Sequence, residues 1–160
     1  MGDLREFSAP IRMFLRAYPW RRIDPIPWAP LRKPLASARV ALVSSAALVL
    51  PGQKAFDPHV RGGDVSFREI PASADVGTLR DTHRSETFDH SGIAADANLV
   101  FPLDRLRELA RDGVVGSLAP RHFSLMGSIL APRRLVRDTA PAIADLLAAD
   151  EVDAALLVPV

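Results

Sequence analysis

Apolar residues recur along this chain in two rhythms, one helical and one extended. Near the start, Ile11, Phe14, Leu15 and Tyr18 fall at i, i+3, i+4 and i+7, which predicts a short amphipathic helix that Ser8 can cap. Pro19, Pro25, Pro27, Pro30 and Pro34 come next. With φ fixed and donors missing so often, neither a helix nor a central strand fits that stretch. Trp20 and Trp28 lie within it and read either as pins holding an arm to a body or as contacts for a partner. From Arg39 the texture changes. Val40 to Val43 is a continuous apolar run, the pattern of a strand covered on both faces. Ser44-Ser45-Ala46-Ala47 then makes a small-residue turn suited to close approach by a ligand or another backbone. Val65 to Ile70 roughly alternates and predicts a second strand, ended by Pro71.

After Phe101 the helical period returns. Pro102 suits a first turn, Leu103, Leu106, Leu109 and Ala110 make the stripe, and Gly113 supplies a stop. Val114 to Leu118 predicts a strand. Helical sequence runs from Pro132 to about Ala149, with Thr139 as an internal cap before Pro141 and with Ile143, Leu146 and Leu147 facing the core. Val152 to Val160 has the pattern of another buried strand. Strands alternating with helices predict an α/β domain: a mainly parallel sheet with flanking helices over residues 39–160, preceded by a Pro-rich arm over 1–38.

Composition narrows the class. Hydrophobic residues make up 48% and charged residues 24% of the chain, as in ordinary globular domains, and no apolar run reaches membrane-spanning length. The first residues lack the order of a signal peptide, so a cytoplasmic location and no membrane partner are expected. The chain has no cysteine, which excludes disulfides, thiolate metal sites and thiol catalysis by its own residues. Its net charge of +1 hides a segregation: residues 1–39 hold eight basic and three acidic residues, the remainder twelve and sixteen. A basic arm on an acidic body docks more readily on protein than on nucleic acid, since no reader motif accompanies the charge. No Gly-rich phosphate loop is present, which argues against a nucleotide cofactor.

The residues able to do chemistry are scattered. His83, Asp89 and His90 share a polar stretch before Asp96 and are the candidate acid/base groups, His83 foremost for proton transfer. Their spacing does not suit a helical metal site, and a third imidazole would have to come from His122 or His59, so no metal is expected. Ser44 and Ser45 could hold a carboxylate or equally serve only as a turn. Asp64 and Ser66, after Gly62-Gly63, could orient an amino group, although a Gly-Gly turn leading into a strand is the favoured explanation. Arg121 and His122 could bind an anion, the guanidinium offering a fork to a carboxylate. Asp96 and Asn98 read as turn builders, and Asp104 with Arg105 as a solvated or structural pair.

Several segments together resemble a known family. They are Val40-Ala41-Leu42-Val43-Ser44-Ser45-Ala46, Gly63 through Pro71, His83 through His90, Asp96 through Leu106, and Gly116 through Ser124. In order and spacing they are similar to component B of the glycine/sarcosine/betaine reductases, a family that includes D-proline reductase subunits, from about residue 38 to Val160. The resemblance implies a selenocysteine or cysteine that attacks the substrate carbon bearing the amine, with electrons from thiols. It places that residue just after a segment like Leu157-Val158-Pro159-Val160. An apolar strand in such a sheet is usually followed by a loop and a covering helix, and the resemblance puts the family's redox residue at that point. What it implies is a chain interrupted at a UGA codon for selenocysteine; a degenerate relative without redox activity and half of a split enzyme are the alternatives. Another reading is a short domain whose final strand closes an edge. No cofactor is expected within the chain itself.

The expected function is therefore that of a subunit of an oxidoreductase acting on a carbon–nitrogen bond. Other reductase subunits or a thiol/disulfide reductant would be its partners, and it could also self-associate. A non-catalytic subunit that binds a partner through its basic arm is the second reading. A small metal-dependent hydrolase centred on His83, Asp89 and His90 is the third.

Overall fold

The computed structural model describes residues 5, 7–19, 22–86 and 89–160. It falls into two compact units, residues 1–30 and 31–160. In the first, α1 (Ala9–Ala17) starts after Ser8 with Pro10 in its first turn. Ser8 takes the cap position without a side-chain bond; its carbonyl accepts from Arg12 N at 3.0 Å instead. The predicted stripe is in place, yet Ile11 and Phe14 remain 45% and 56% exposed. Trp28 is 83% exposed, while Trp20 lies outside the described residues.

The second unit runs β1 (Arg39–Ser44), β2 (Leu48–Val49), β3 (Phe67–Pro71), β4 (Arg80–Asp81), α2 (His90–Ala95), α3 (Leu103–Arg111), β5 (Ser117–Leu118), β6 (Arg121–Leu125), α4 (Ala140–Ala149) and β7 (Ala154–Val158). It is α/β. β1 is the central strand, parallel to β5, β6 and β7, while β3 lies antiparallel beyond β6. β2 and β4 form a small separate antiparallel pair. β5 and β6 serve opposite ends of β1: Arg39 and Val40 pair with Ser117 and Leu118, whereas Val43 and Ser44 pair with Phe123 and Ser124. Ala119 and Pro120 interrupt the ladder between them. Pro120 has no N–H, and its carbonyl bonds sideways to Ala72 N at 2.9 Å.

Alternation across the sheet sets the core. Val40 and Leu42 pack with Ile70, Phe101, Leu103, Leu106 and Val115 on one face. Burying a side chain such as Leu42 or Phe101 contributes about 1.5–3 kcal/mol. On the other face α4 brings Ile143 and Leu147 over Val43, Leu125 and Leu157, leaving an open apolar groove of about 250 Å³.

Three elements differ from the sequence expectation. Residues 121–125, for which no element was expected, form a strand in which His122 and Ser124 turn into the core on one face and Phe123 packs on the other. Thr139 takes the cap position of α4 without a side-chain cap bond: its hydroxyl donates instead to Val65 O at 2.6 Å, and residues Leu135–Thr139 form a π turn ahead of Pro141. The final strand is an edge, not a buried strand. Leu156 and Leu157 are 40% and 67% exposed. The expected Asp104–Arg105 pair is also redistributed, Arg107 pairing with Asp104 at 2.6 Å and Arg105 with Glu108 at 2.8 Å.

Candidate functional site

In open α/β sheets, ligands gather beyond the carboxyl ends of the strands. Here that end is built by the turn after β1. Ser44 faces inward and is fully buried; its hydroxyl donates to Val100 O at 2.7 Å and accepts from Ala46 N at 3.2 Å. Ser45 faces the other way, and its hydroxyl accepts from Val160 N at 2.8 Å. Ala46 bridges to Met126, and Ala47 N donates to Leu125 O at 2.9 Å. The small residues thus admit two neighbouring backbones, those leaving β6 and β7.

The histidine loop borders this turn. Thr82 donates to Ala47 O through both N (3.2 Å) and Oγ1 (2.7 Å). Asp81 organises the loop, accepting from His83 N at 2.7 Å and from His90 Nδ1. His90 Nε2 faces Ser85 O at 2.9 Å. Both ring nitrogens therefore meet acceptors, a geometry that only the imidazolium satisfies. The Asp81 hydrogen bond first, then the Ser85 carbonyl, hold the His90 pKa above its ordinary value. His83 is the opposite case. It is buried, its Nδ1 accepts from Ser85 N at 3.3 Å, and burial, with the nearby His90 and Arg84 charges, pushes its pKa down despite Asp81. Asp89 caps α2, accepting from Gly92 N at 3.0 Å and from Ser91 Oγ at 2.7 Å. These bonds keep its carboxyl below the usual range.

His122 lies inside the sheet. At the break around Pro120, its Nδ1 accepts from Leu42 N at 3.0 Å and takes the place of a missing ladder carbonyl. That bond leaves the proton on Nε2. Burial first, then the charge of Arg107, push its pKa down to about 4. His122 Nε2 and Ser124 Oγ are buried without a hydrogen-bond partner among the described residues.

The remaining candidates stand apart from the carboxyl end. Arg121, at the start of β6, is gripped by Asp150 through Nε and Nη2 (2.7 and 2.9 Å) and by Glu69 through Nη1 (2.9 Å). Those bonds raise its pKa. Asp64 accepts from Asp57 N, Ser66 N and Ser66 Oγ at 2.9, 2.9 and 2.6 Å. Burial pushes Asp64 up, but these bonds and Arg68 outweigh it and leave its pKa low. Asp64 and Ser66 line an open groove of about 540 Å³ with Arg134 and Asp138. Among the described residues no three His, Cys, Asp or Glu side chains converge as metal ligands.

Sequence reasoning did not single out Asp81 or Gly127, which organise the histidine loop and the strand ends. A small residue just after an apolar strand, Gly127 after Leu125-Met126, was the available signal for the second.

The class defined so far is an α/β domain with a serine- and glycine-lined carboxyl edge flanked by a histidine loop. The family emerges from comparison. Residues 11–160 match the model of the glycine/sarcosine/betaine reductase selenoprotein B family, and the chain belongs to that family. The match takes in most of the Pro-rich arm, beyond the segments from residue 38 onward that carry the motif resemblance.

Its relatives are named as parts of reductase complexes. The chain is 36% identical over 136 residues to a D-proline reductase subunit gamma of Acetoanaerobium sticklandii, covering 84% of this chain and 54% of that one. It is 32% identical to a glycine reductase complex component B subunit gamma of Symbiobacterium thermophilum, over 88% of this chain and 32% of the relative. It is 29% identical to a sarcosine reductase complex component B subunit beta of Peptoclostridium acidaminophilum, over 72% and 26%. The chain therefore spans about half the length of the first relative and about a third or less of the other two. No solved structure matches it significantly. Among the described residues, no helix is long and apolar enough to cross a membrane.

Proposed function

We propose that this chain is a subunit of a reductase complex that cleaves a carbon–nitrogen bond of an amino acid or related amine. The observation that carries the reading is the family match over residues 11–160, together with relatives named for D-proline, glycine and sarcosine reduction. In this reading a selenocysteine or cysteine placed after Val160 is the nucleophile. It bonds to the substrate carbon as the amine leaves with a proton. A thiol then attacks the selenium or sulfur, the carbon takes a proton, and a dithiol reduces the resulting bridge to close the cycle. The reaction centre lies at the carboxyl edge of β1, β6 and β7, where a selenolate or thiolate is set at the mouth of the sheet. His83 and His90, on the loop bordering that edge, are the proton-carrying groups, and His90 holds its proton between Asp81 and the Ser85 carbonyl.

The test is expression of the natural gene with its flanking sequence, purification with associated subunits, and assay of D-proline, glycine, sarcosine and betaine with a dithiol. Dithiol-dependent cleavage of one of them is expected; no cleavage of any by the assembled complex refutes the reading. A UGA, UGC or UGU codon just after the Val160 codon is expected, and UAA or UAG removes the proposed nucleophile. A second reading, an interaction subunit, is favoured by the exposure of Ile26 (80%) and Trp28 (83%) on the arm. It predicts that deleting residues 1–30 abolishes co-purification of the other subunits while their substrate turnover needs no residue of this chain.

A further inference from the structure

Three backbones meet at the carboxyl edge. The last ladder pair of the β1–β7 register is Ser44 with Val158. Past it, Ser45 N donates to Val158 O at 3.1 Å, and the Ser45 hydroxyl accepts from Val160 N at 2.8 Å while lying 3.4 Å from Val160 O. Between these two contacts sits Pro159, whose ring fixes φ. From the side of β6, Gly127 closes the junction. A Cβ built there would stand 2.7 Å from Val160 O, 2.9 Å from Ser45 O and 3.0 Å from Ser45 Oγ. The first two contacts are with backbone, so a side chain at 127 displaces main chain. Glycine is needed here for space, not for a left-handed φ.

We propose that Ser45 is a positioning residue, acting with Gly127 as a clamp that fixes the direction of the peptide leaving β7. The inference rests on the reading that the reaction centre lies at this edge. It gives the two adjacent serines separate work: Ser44 ties the turn to Val100 in the core, and Ser45 ties the β7 exit to the turn. It gives Ser45 work other than the expected holding of a substrate carboxylate, the hydroxyl oxygen accepting the Val160 N–H. Orientation of a reacting group within a fraction of an ångström governs turnover more than it governs substrate affinity.

Two measurements on the full natural gene product test this. Amide hydrogen exchange at Val160 rises about tenfold in Ser45→Ala, the protection of a lost hydrogen bond, while Leu42 in the middle of β1 is unchanged. Gly127→Ala does the same with the hydroxyl intact, by pushing the strand end away. In the assembled complex both variants lower kcat about tenfold at unchanged KM, as a misplaced but intact reacting group requires. Unchanged Val160 exchange in both variants overturns the clamp. Raised exchange with unchanged kcat overturns the positioning role. Absence of turnover in the unaltered complex refutes the reductase reading instead, and the exchange result then decides the clamp by itself.

Discussion

His122 makes the acid stability of this fold predictable. Its Nδ1 accepts the Leu42 amide proton, so protonating the ring sets two N–H groups against each other inside a fully buried site. The pKa falls from 6.5 to about 4. A pKa depressed in the folded state means that the unfolded chain binds the proton first. The stability linked to neutral His122 is complete above pH 6.5 and is lost as pH falls through 6.5 toward 4. At 1.36 kcal/mol per unit, that window is worth about 3 kcal/mol. His122→Asn keeps an acceptor near the Nδ1 position without a titrating group. Urea unfolding at half-unit steps from pH 7.5 to 4 should show the parent losing about 3 kcal/mol more than the variant across the window. His83, whose pKa is also lowered, contributes to both curves and cancels. The hydrogen-bonded carboxylates Asp64, Asp104 and Asp150 have pKa values below 3.8 and act at lower pH. Parallel curves for parent and variant refute the reasoning.

Three further outcomes are expected. Ser44→Ala leaves the buried Val100 carbonyl without the 2.7 Å hydroxyl bond and should cost about 1–2 kcal/mol in chemical denaturation, with the fold retained. Gly116→Ala puts a Cβ 2.6 Å from Ser37 C and 2.8 Å from Ala38 N, both main chain, and should cost about 1–3 kcal/mol by thermal melting. His90 should titrate above 6.5 in a proton NMR series and move back toward 6.5 in Asp81→Asn. Since its folded pKa is raised, the loop contact is complete below pH 6.5 and loosens as pH rises through the folded value.

Much of this fold was legible from period and punctuation. Val40–Val43 reads as a doubly covered strand, and Leu103 to Gly113 reads as a helix with its stop, Gly113 standing at φ +71°. Arg121–Leu125 was not legible as a strand, because its inward positions are a histidine and a serine. A polar residue at a core position carries no apolar signal, and the partner of its ring nitrogen, the Leu42 amide, lies 80 residues away in sequence. β2 and β4 have two residues each and no period to read. At the candidate site, sequence marked the serines and histidines but not their geometry. The direction in which Ser45 points is set by β7 and its exit, with Val160 lying 115 residues downstream.

The pairing of β1 has a consequence for synthesis. It is the first strand of the sheet to be made, and its partners β5, β6 and β7 all begin at Ser117 or later. At roughly 5–20 residues per second, Val40 to Val43 emerges several seconds or more before any strand can close on it. During that interval the segment is an unpaired apolar run, flanked by Arg39 on one side and Ser44-Ser45 on the other. Yield in the cell should therefore respond to translation speed and to chaperones that hold extended apolar segments, more than the modest size of the domain would suggest.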